Sequence, residues 1–149
     1  MNESRPVLTI ITVTRNAGQA IEATIRSVTE NKPAGVEYLI QDGLSTDATV
    51  ATAGGIPGVD RIVSEKDQGI YDAMNRAASN ARGQWICFLN AGDYHLPGAI
   101  ALIDHAELIL GAAALDVVQI EPATAKVGRV DVTQPHRCID HLQAGTGIR

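Results

Sequence analysis

Four short polar stretches hold most of the side chains able to do chemistry: Thr14-Arg15-Asn16, Asp42-Gly43, Glu65-Lys66-Asp67 and Asn90-Ala91-Gly92-Asp93. Each closes an apolar run. Carboxylates dominate them, with amide and hydroxyl oxygens beside. Such hard oxygen donors suit a phosphate ester bound through a divalent cation better than a bare anion. Two familiar nucleotide grips are missing. No G-x-G-x-x-G follows the first apolar run, and no Walker pattern with its Lys and Ser or Thr is present, which disfavours dehydrogenase and P-loop readings.

The four stretches act together only if the fold brings them to one edge. Val7 to Val13 is apolar and rich in β-branched residues, the pattern of a strand covered on both faces. Ile21, Ile25 and Val28 then recur at helical spacing, and that helix stops before Pro33. Val36 to Gln41 reads as a second strand. Ser45 or Thr46 is placed to cap a helix whose first turn carries Asp47 and which Gly54, Gly55, Pro57 and Gly58 break. Val59 to Val63 is a third strand. Ile70, Ala73, Met74, Ala77, Ala78 and Ala81 make a narrow helical stripe ended by Gly83, and Trp85 to Leu89 is a fourth strand. Pro97 opens a helix expected to reach about Leu110.

This alternation predicts an α/β fold: a Rossmann-like, mostly parallel sheet with helices on both faces. Ligands of such sheets bind beyond the carboxyl ends of the strands, where all four polar stretches fall. Farther on, Asp116 to Ile120 and Val127 to Val132 are expected to pair as a C-terminal hairpin around residues 123 to 126. Residues 1–149 are read as one domain.

Composition narrows the function classes. A net charge of −5 argues against nucleic acid as a partner, because phosphate-backbone binding needs a clustered excess of Lys and Arg. Aromatic residues make up only 3% of the chain, too few for a base-stacking platform on single strands. Two distant cysteines, Cys87 and Cys138, give no disulfide framework, so a reducing, cytoplasmic setting is expected. No apolar stretch approaches the roughly 20 residues of a membrane helix, which leaves peripheral association with the inner face of a membrane as the compatible membrane role.

Taken together, Ile10 to Asn16, the Asp42-Gly43-x-Ser45-Thr46-Asp47 loop, the segment Lys66-Asp67-x-Gly69-Ile70-Tyr71-Asp72-Ala73-Met74-Asn75, and Gly83-x-Trp85-Ile86-x-Phe88-Leu89-Asn90-Ala91-Gly92-Asp93 resemble the family 2 glycosyltransferases, especially the bacterial polysaccharide-building branch. The resemblance covers roughly residues 7 to 110, and four motifs in the right order make it specific. It implies a GT-A nucleotide-sugar-binding fold, Mg²⁺ or Mn²⁺ as cofactor, a nucleotide-sugar donor and a saccharide or lipid-linked acceptor. By the same resemblance Asp42 faces the nucleoside base, Thr14, Arg15 and Asn16 line the donor site, and Asp67, Tyr71 and Asp72 face the sugar or ribose. Asp93 is the metal ligand, assisted by Asn90. Gly92 stands where relatives often carry a second carboxylate, so metal affinity is expected to be modest. The implied reaction is an inverting displacement assisted by a carboxylate base. No equivalent of that base is identified; Glu121, Asp131 and Asp140 are weak candidates, and the acceptor-binding part is expected to be incomplete.

Plainer readings compete residue by residue. Asp42 suits a turn before glycine, Asp93 suits a helix cap near Pro97, and Asp72 with Arg76 suits a solvated i,i+4 ion pair. Asn75 fits a loop brace. His136, Cys138 and His141 lack the partners a zinc site needs and read as a surface segment. At the level of the whole chain, a non-catalytic nucleotide-sugar-binding module and an unrelated receiver-like domain are the rivals to a transferase. The receiver reading lacks its acidic cluster and downstream Lys.

Overall fold

The computed structural model describes residues 5–30, 32–97, 100 and 117–119. Within them lie strands β1 (Leu8–Thr14), β2 (Val36–Asp42), β3 (Arg61–Ser64), β4 (Trp85–Phe88) and β5 (Val117–Gln119) and helices α1 (Ala20–Thr29), α2 (Thr49–Gly55) and α3 (Ile70–Asn80). The sheet order is β3-β2-β1-β4-β5; the first four strands are parallel, and β5 runs antiparallel along β4. The expected mostly parallel α/β sheet is what the chain forms.

β1 is central and all seven of its residues are buried, which its β-branched composition allows because it is covered on both faces. Alternate residues serve opposite sides. Leu8 and Ile10 pack with Ile21, Ile25 and Val28 of α1, while Ile11 and Val13 pack with Ala73, Ala77 and Ala78 of α3. The small side chains of α3 let that helix lie close to the sheet. Gly83 permits a similarly close approach at the start of β4, since a Cβ there would stand 2.5 Å from the backbone nitrogen of Thr9. Below it, buried Glu37 accepts hydrogen bonds from Thr9 Oγ1 at 2.7 Å and from the backbone N–H of Arg82 at 2.9 Å. The N-terminal edge of the sheet is thereby closed by internal bonds.

Several boundaries differ from expectation, each for a local reason. β3 begins at Arg61 instead of Val59, because the Asp60 carboxylate accepts the Tyr38 N–H at 2.7 Å and so takes a strand neighbour's place. α2 begins at Thr49, not beside Ser45 or Thr46. Those two residues are drawn to Asp42 and Asn16, while Asp47 Oδ1 accepts from the Thr49 N–H at 2.9 Å and from its hydroxyl. That pairing, chiefly the Thr49 hydroxyl bond, holds the Asp47 carboxyl below its usual range. The first arm of the expected hairpin contains β5, paired with β4. The second arm at Val127 to Val132 and the helix from Pro97 to Leu110 lie outside the described residues, apart from Pro97 and Ile100. Among the described residues no helix is long and apolar enough to cross a membrane.

Candidate active site

The sheet order reverses at β1: β2 and β3 extend to one side, and β4 lies on the other. Crossovers leaving in opposite directions put a topological switch point at the carboxyl ends of β1 and β4, the place where open parallel sheets take their ligands. Thr14 stands opposite Asp42 in the β1–β2 register, and the Ala91 N–H donates to the Val13 carbonyl at 3.4 Å. The ends of β2, β1 and β4 therefore meet at one edge. Asp42 and Asp93 are at that edge together.

Asp42 itself is fully buried, at 0% exposure. Its Oδ2 accepts from the Ser45 N–H at 2.9 Å and from the Ser64 hydroxyl at 2.6 Å, and its Oδ1 accepts from the Ser45 hydroxyl. The carboxylate thus ties the β2 loop to the end of β3. Direct contact with a base, as the resemblance implies, would require the Ser45 hydroxyl to let go. Gly43 follows, and a side chain there would collide with the Asp67 carboxylate and approach Arg15 Cδ to 3.4 Å. Arg15, Gly43 and Asp67 accordingly form one continuous wall. Arg15 is exposed. Asn16, at φ 49°, donates its N–H to Ser45 Oγ at 2.7 Å and accepts from the Thr46 N–H at 2.8 Å, lacing the β1 loop to the β2 loop.

Around the start of α3, Asp67 Oδ1 accepts from the Gly69 N–H at 2.9 Å, and half-buried Tyr71 follows in the first turn. Asp72 Oδ2 accepts from the Gln68 N–H at 3.0 Å and pairs with Arg76 Nε at 2.8 Å. Arg76 holds the Asp72 carboxyl below its ordinary range, and the Gln68 bond adds to this. The ion pair weighed against a ligand role is therefore formed, and the same carboxylate also braces the loop before α3. Arg76 Nη1 lies 3.6 Å from Glu65 Oε1, which accepts from buried Gln41 at 3.0 Å.

The β4 end is built differently. Asp93 is exposed, and among the described residues its carboxylate has no hydrogen-bond or ion-pair partner. Only its backbone is held. Thr24 of α1, fully buried, donates to the Asp93 carbonyl at 2.7 Å and accepts from the Gly92 N–H at 2.9 Å. The His95 N–H reaches Ser27 Oγ at 3.2 Å. Gly92 sits at φ 99°, a turn that a side chain would disfavour. Among the described residues, three buried side-chain atoms lack a partner: Thr14 Oγ1, Asn90 Oδ1 and His95 Nε2. All three belong to residues at the ends of β1 and β4. Burial also lowers the His95 pKa. Thr24, Ser27 and Ser64 went unrecognised in the sequence; hydroxyls on the otherwise apolar buried side of α1 were the available signal for the first two.

A divalent cation fits this end in part. Among the described residues the Asp93 carboxylate and the Asn90 amide oxygen have no partner, and both are hard donors. Among the described residues no group of three His, Cys, Asp or Glu is placed to hold a metal, so a cation here would depend on ligand oxygens and water. Glu121, Asp131 and Asp140, like His136, Cys138 and His141, lie outside the described residues.

Comparison with known proteins agrees with this arrangement. The fold is similar to S. aureus TarS in complex with UDP-GlcNAc, with TM-score 0.61 and 22% identity, covering 70% of this chain and 31% of that one. It is also similar to the mannosyltransferase PcManGT from Pyrobaculum calidifontis in complex with GDP-Man and Mn²⁺, with TM-score 0.60 and 27% identity over 75% of this chain and 34% of that one. A PGL/p-HBAD biosynthesis glycosyltransferase of Mycobacterium tuberculosis is 36% identical over 92 residues, which are 59% of this chain and 36% of that protein. The chain spans about a third of the length of these relatives. Residues 9–115 match the profile described as Glycosyl transferase family 2, and with the GT-A arrangement of its sheet the chain belongs to that family.

Proposed function

We propose that this chain supplies the donor-binding part of a transferase that moves one sugar from a nucleoside diphosphate sugar to an acceptor hydroxyl, with inversion, in polysaccharide or glycoconjugate synthesis. The observation that carries the reading is the meeting of the β1 and β4 ends, where, among the described residues, the Asp93 carboxylate, the buried Thr14 Oγ1 and the buried Asn90 Oδ1 have no partner. Such oxygens stay unsatisfied at a cost unless a ligand meets them.

In this reading Asp93 and Asn90 are the residues that would hold Mg²⁺ or Mn²⁺. The cation, when bound, neutralises charge on the departing nucleoside diphosphate. The complex of the similar mannosyltransferase with Mn²⁺ supports this. Arg15 serves the base or a phosphate through its planar guanidinium. Asn16 and Asp42 hold the two loops that frame the nucleoside, while Asp67, Tyr71 and Asp72 border the sugar or ribose. The saccharide or lipid-linked acceptor and the carboxylate that takes its proton belong to parts of the protein beyond these strand ends. A cytoplasmic setting, with peripheral contact at the inner membrane face, completes the proposal. Gly92, standing where a second carboxylate is common, favours one alternative, a module that binds the donor without transferring the sugar.

Titration calorimetry of the chain with UDP and GDP in Mn²⁺ tests the reading. The expected outcome is binding that weakens at least about tenfold, or roughly 1.4 kcal/mol, in Asp93→Ala. Binding indifferent to that substitution would remove the metal assignment, and no binding of either nucleotide would remove the donor site.

A further inference from the structure

Leu44 is built against its own preferences. Its φ of 56° lies in the left-handed region, which a leucine enters only under constraint, and its side chain remains 49% exposed, so packing returns little for that strain. The constraint is visible on both sides. Gly43 is wedged between Arg15 and Asp67, and its N–H donates to the Thr14 carbonyl at 2.9 Å. Ser45 is fixed through its N–H and hydroxyl to Asp42, and its Oγ accepts from the Asn16 N–H at 2.7 Å. Glycine or asparagine would occupy such a turn without penalty. Strain of this kind gathers at ligand-holding positions, where the surroundings over-determine it. A second large apolar side chain, Ile70, stands 49% exposed at the start of α3, on the neighbouring loop that carries Asp67.

We infer that Leu44 is a specificity-determining residue of the donor site: an apolar wall on which the flat face of the nucleoside base rests, with Arg15 on the adjoining wall across Gly43. This rests on the donor-binding reading above. A base presents an apolar face and a polar rim, so a leucine turned outward from a polar loop serves its face alone. The diphosphate, at the β4 end, gains nothing from it.

The test compares the wild-type chain with Leu44→Met, Leu44→Asn and Leu44→Gly. Calorimetry in Mn²⁺ uses UDP and GDP, with inorganic pyrophosphate as the base-free probe, and thermal unfolding is followed in parallel. Leu44→Asn and Leu44→Gly are expected to unfold at or above the wild-type temperature, because both tolerate the left-handed backbone. Their nucleotide affinity falls about tenfold, that of Leu44→Met stays within about twofold, and pyrophosphate affinity is the same in all four. If wild type binds nucleotide and Leu44→Asn binds it equally well, the assignment is overturned. It is also overturned if pyrophosphate affinity falls in step, since the loop as a whole would then be responsible. A wild-type chain that binds neither nucleotide overturns the donor site itself, and this assignment with it.

Discussion

The two halves of the edge where the strands end are finished to different degrees. On the β2–β3 side Asp42 is fully buried with three hydrogen bonds, Ser45 and Asn16 lace neighbouring loops, and Asp72 is engaged by Gln68 and Arg76. On the β4 side the backbone is pinned by Thr24 and Ser27, yet the Asp93 carboxylate and the buried oxygens of Thr14 and Asn90 have no partner among the described residues. One half satisfies its polar groups internally and so supplies shape. The other fixes its backbone and, among the described residues, leaves its oxygens open, an arrangement suited to the donor site proposed above.

Substitutions can break or sharpen that contrast. Asp42→Ala should have the largest effect on folding, because it removes a buried carboxylate that accepts from the Ser45 N–H and from the Ser45 and Ser64 hydroxyls. A loss of about 3 kcal/mol is expected by urea denaturation. Asp93→Ala, measured the same way, should change stability by less than about 0.5 kcal/mol, since the removed carboxylate is exposed and has no partner among the described residues. Equal losses from the two variants would erase the distinction between a structural half and a ligand-taking half. Asp72 sharpens the contrast through pH. Its folded carboxyl is held below the ordinary range, so its stabilising contribution is present above the unfolded pKa and disappears as pH falls through the lowered one. The stability difference between wild type and Asp72→Asn should therefore be measurable near neutral pH and shrink toward zero in acid. A difference that grows in acid would reverse the assigned cause.

The strands and helices were legible because their signals are local. The β-branched run of β1 announces burial on both faces, and the alanine stripe of α3 announces close packing. The four polar loops were legible as one edge because parallel strands place all their carboxyl ends together. Burial of Asp42 was not, since it depends on Ser64, which lies 22 residues away and reaches it only once β3 pairs with β2. The pinning of Gly92 and Asp93 by Thr24 spans nearly 70 positions and left only a hydroxyl on a buried helix face as its trace. The late start of α2 reflects competition: Ser45 and Thr46 resemble helix caps, but Asp42 and Asn16 hold them in tertiary bonds.

A divalent cation at the ends of β1 and β4 is what the proposed donor site depends on. Paramagnetic broadening of backbone amide signals by Mn²⁺ in the presence of UDP or GDP tests it most directly. The strongest broadening is expected at residues 90 to 93 and next at 14 to 16, with residues 82 to 84 at the opposite edge of the sheet unaffected. Broadening centred away from the β4 end, or spread evenly over the chain, would contradict it.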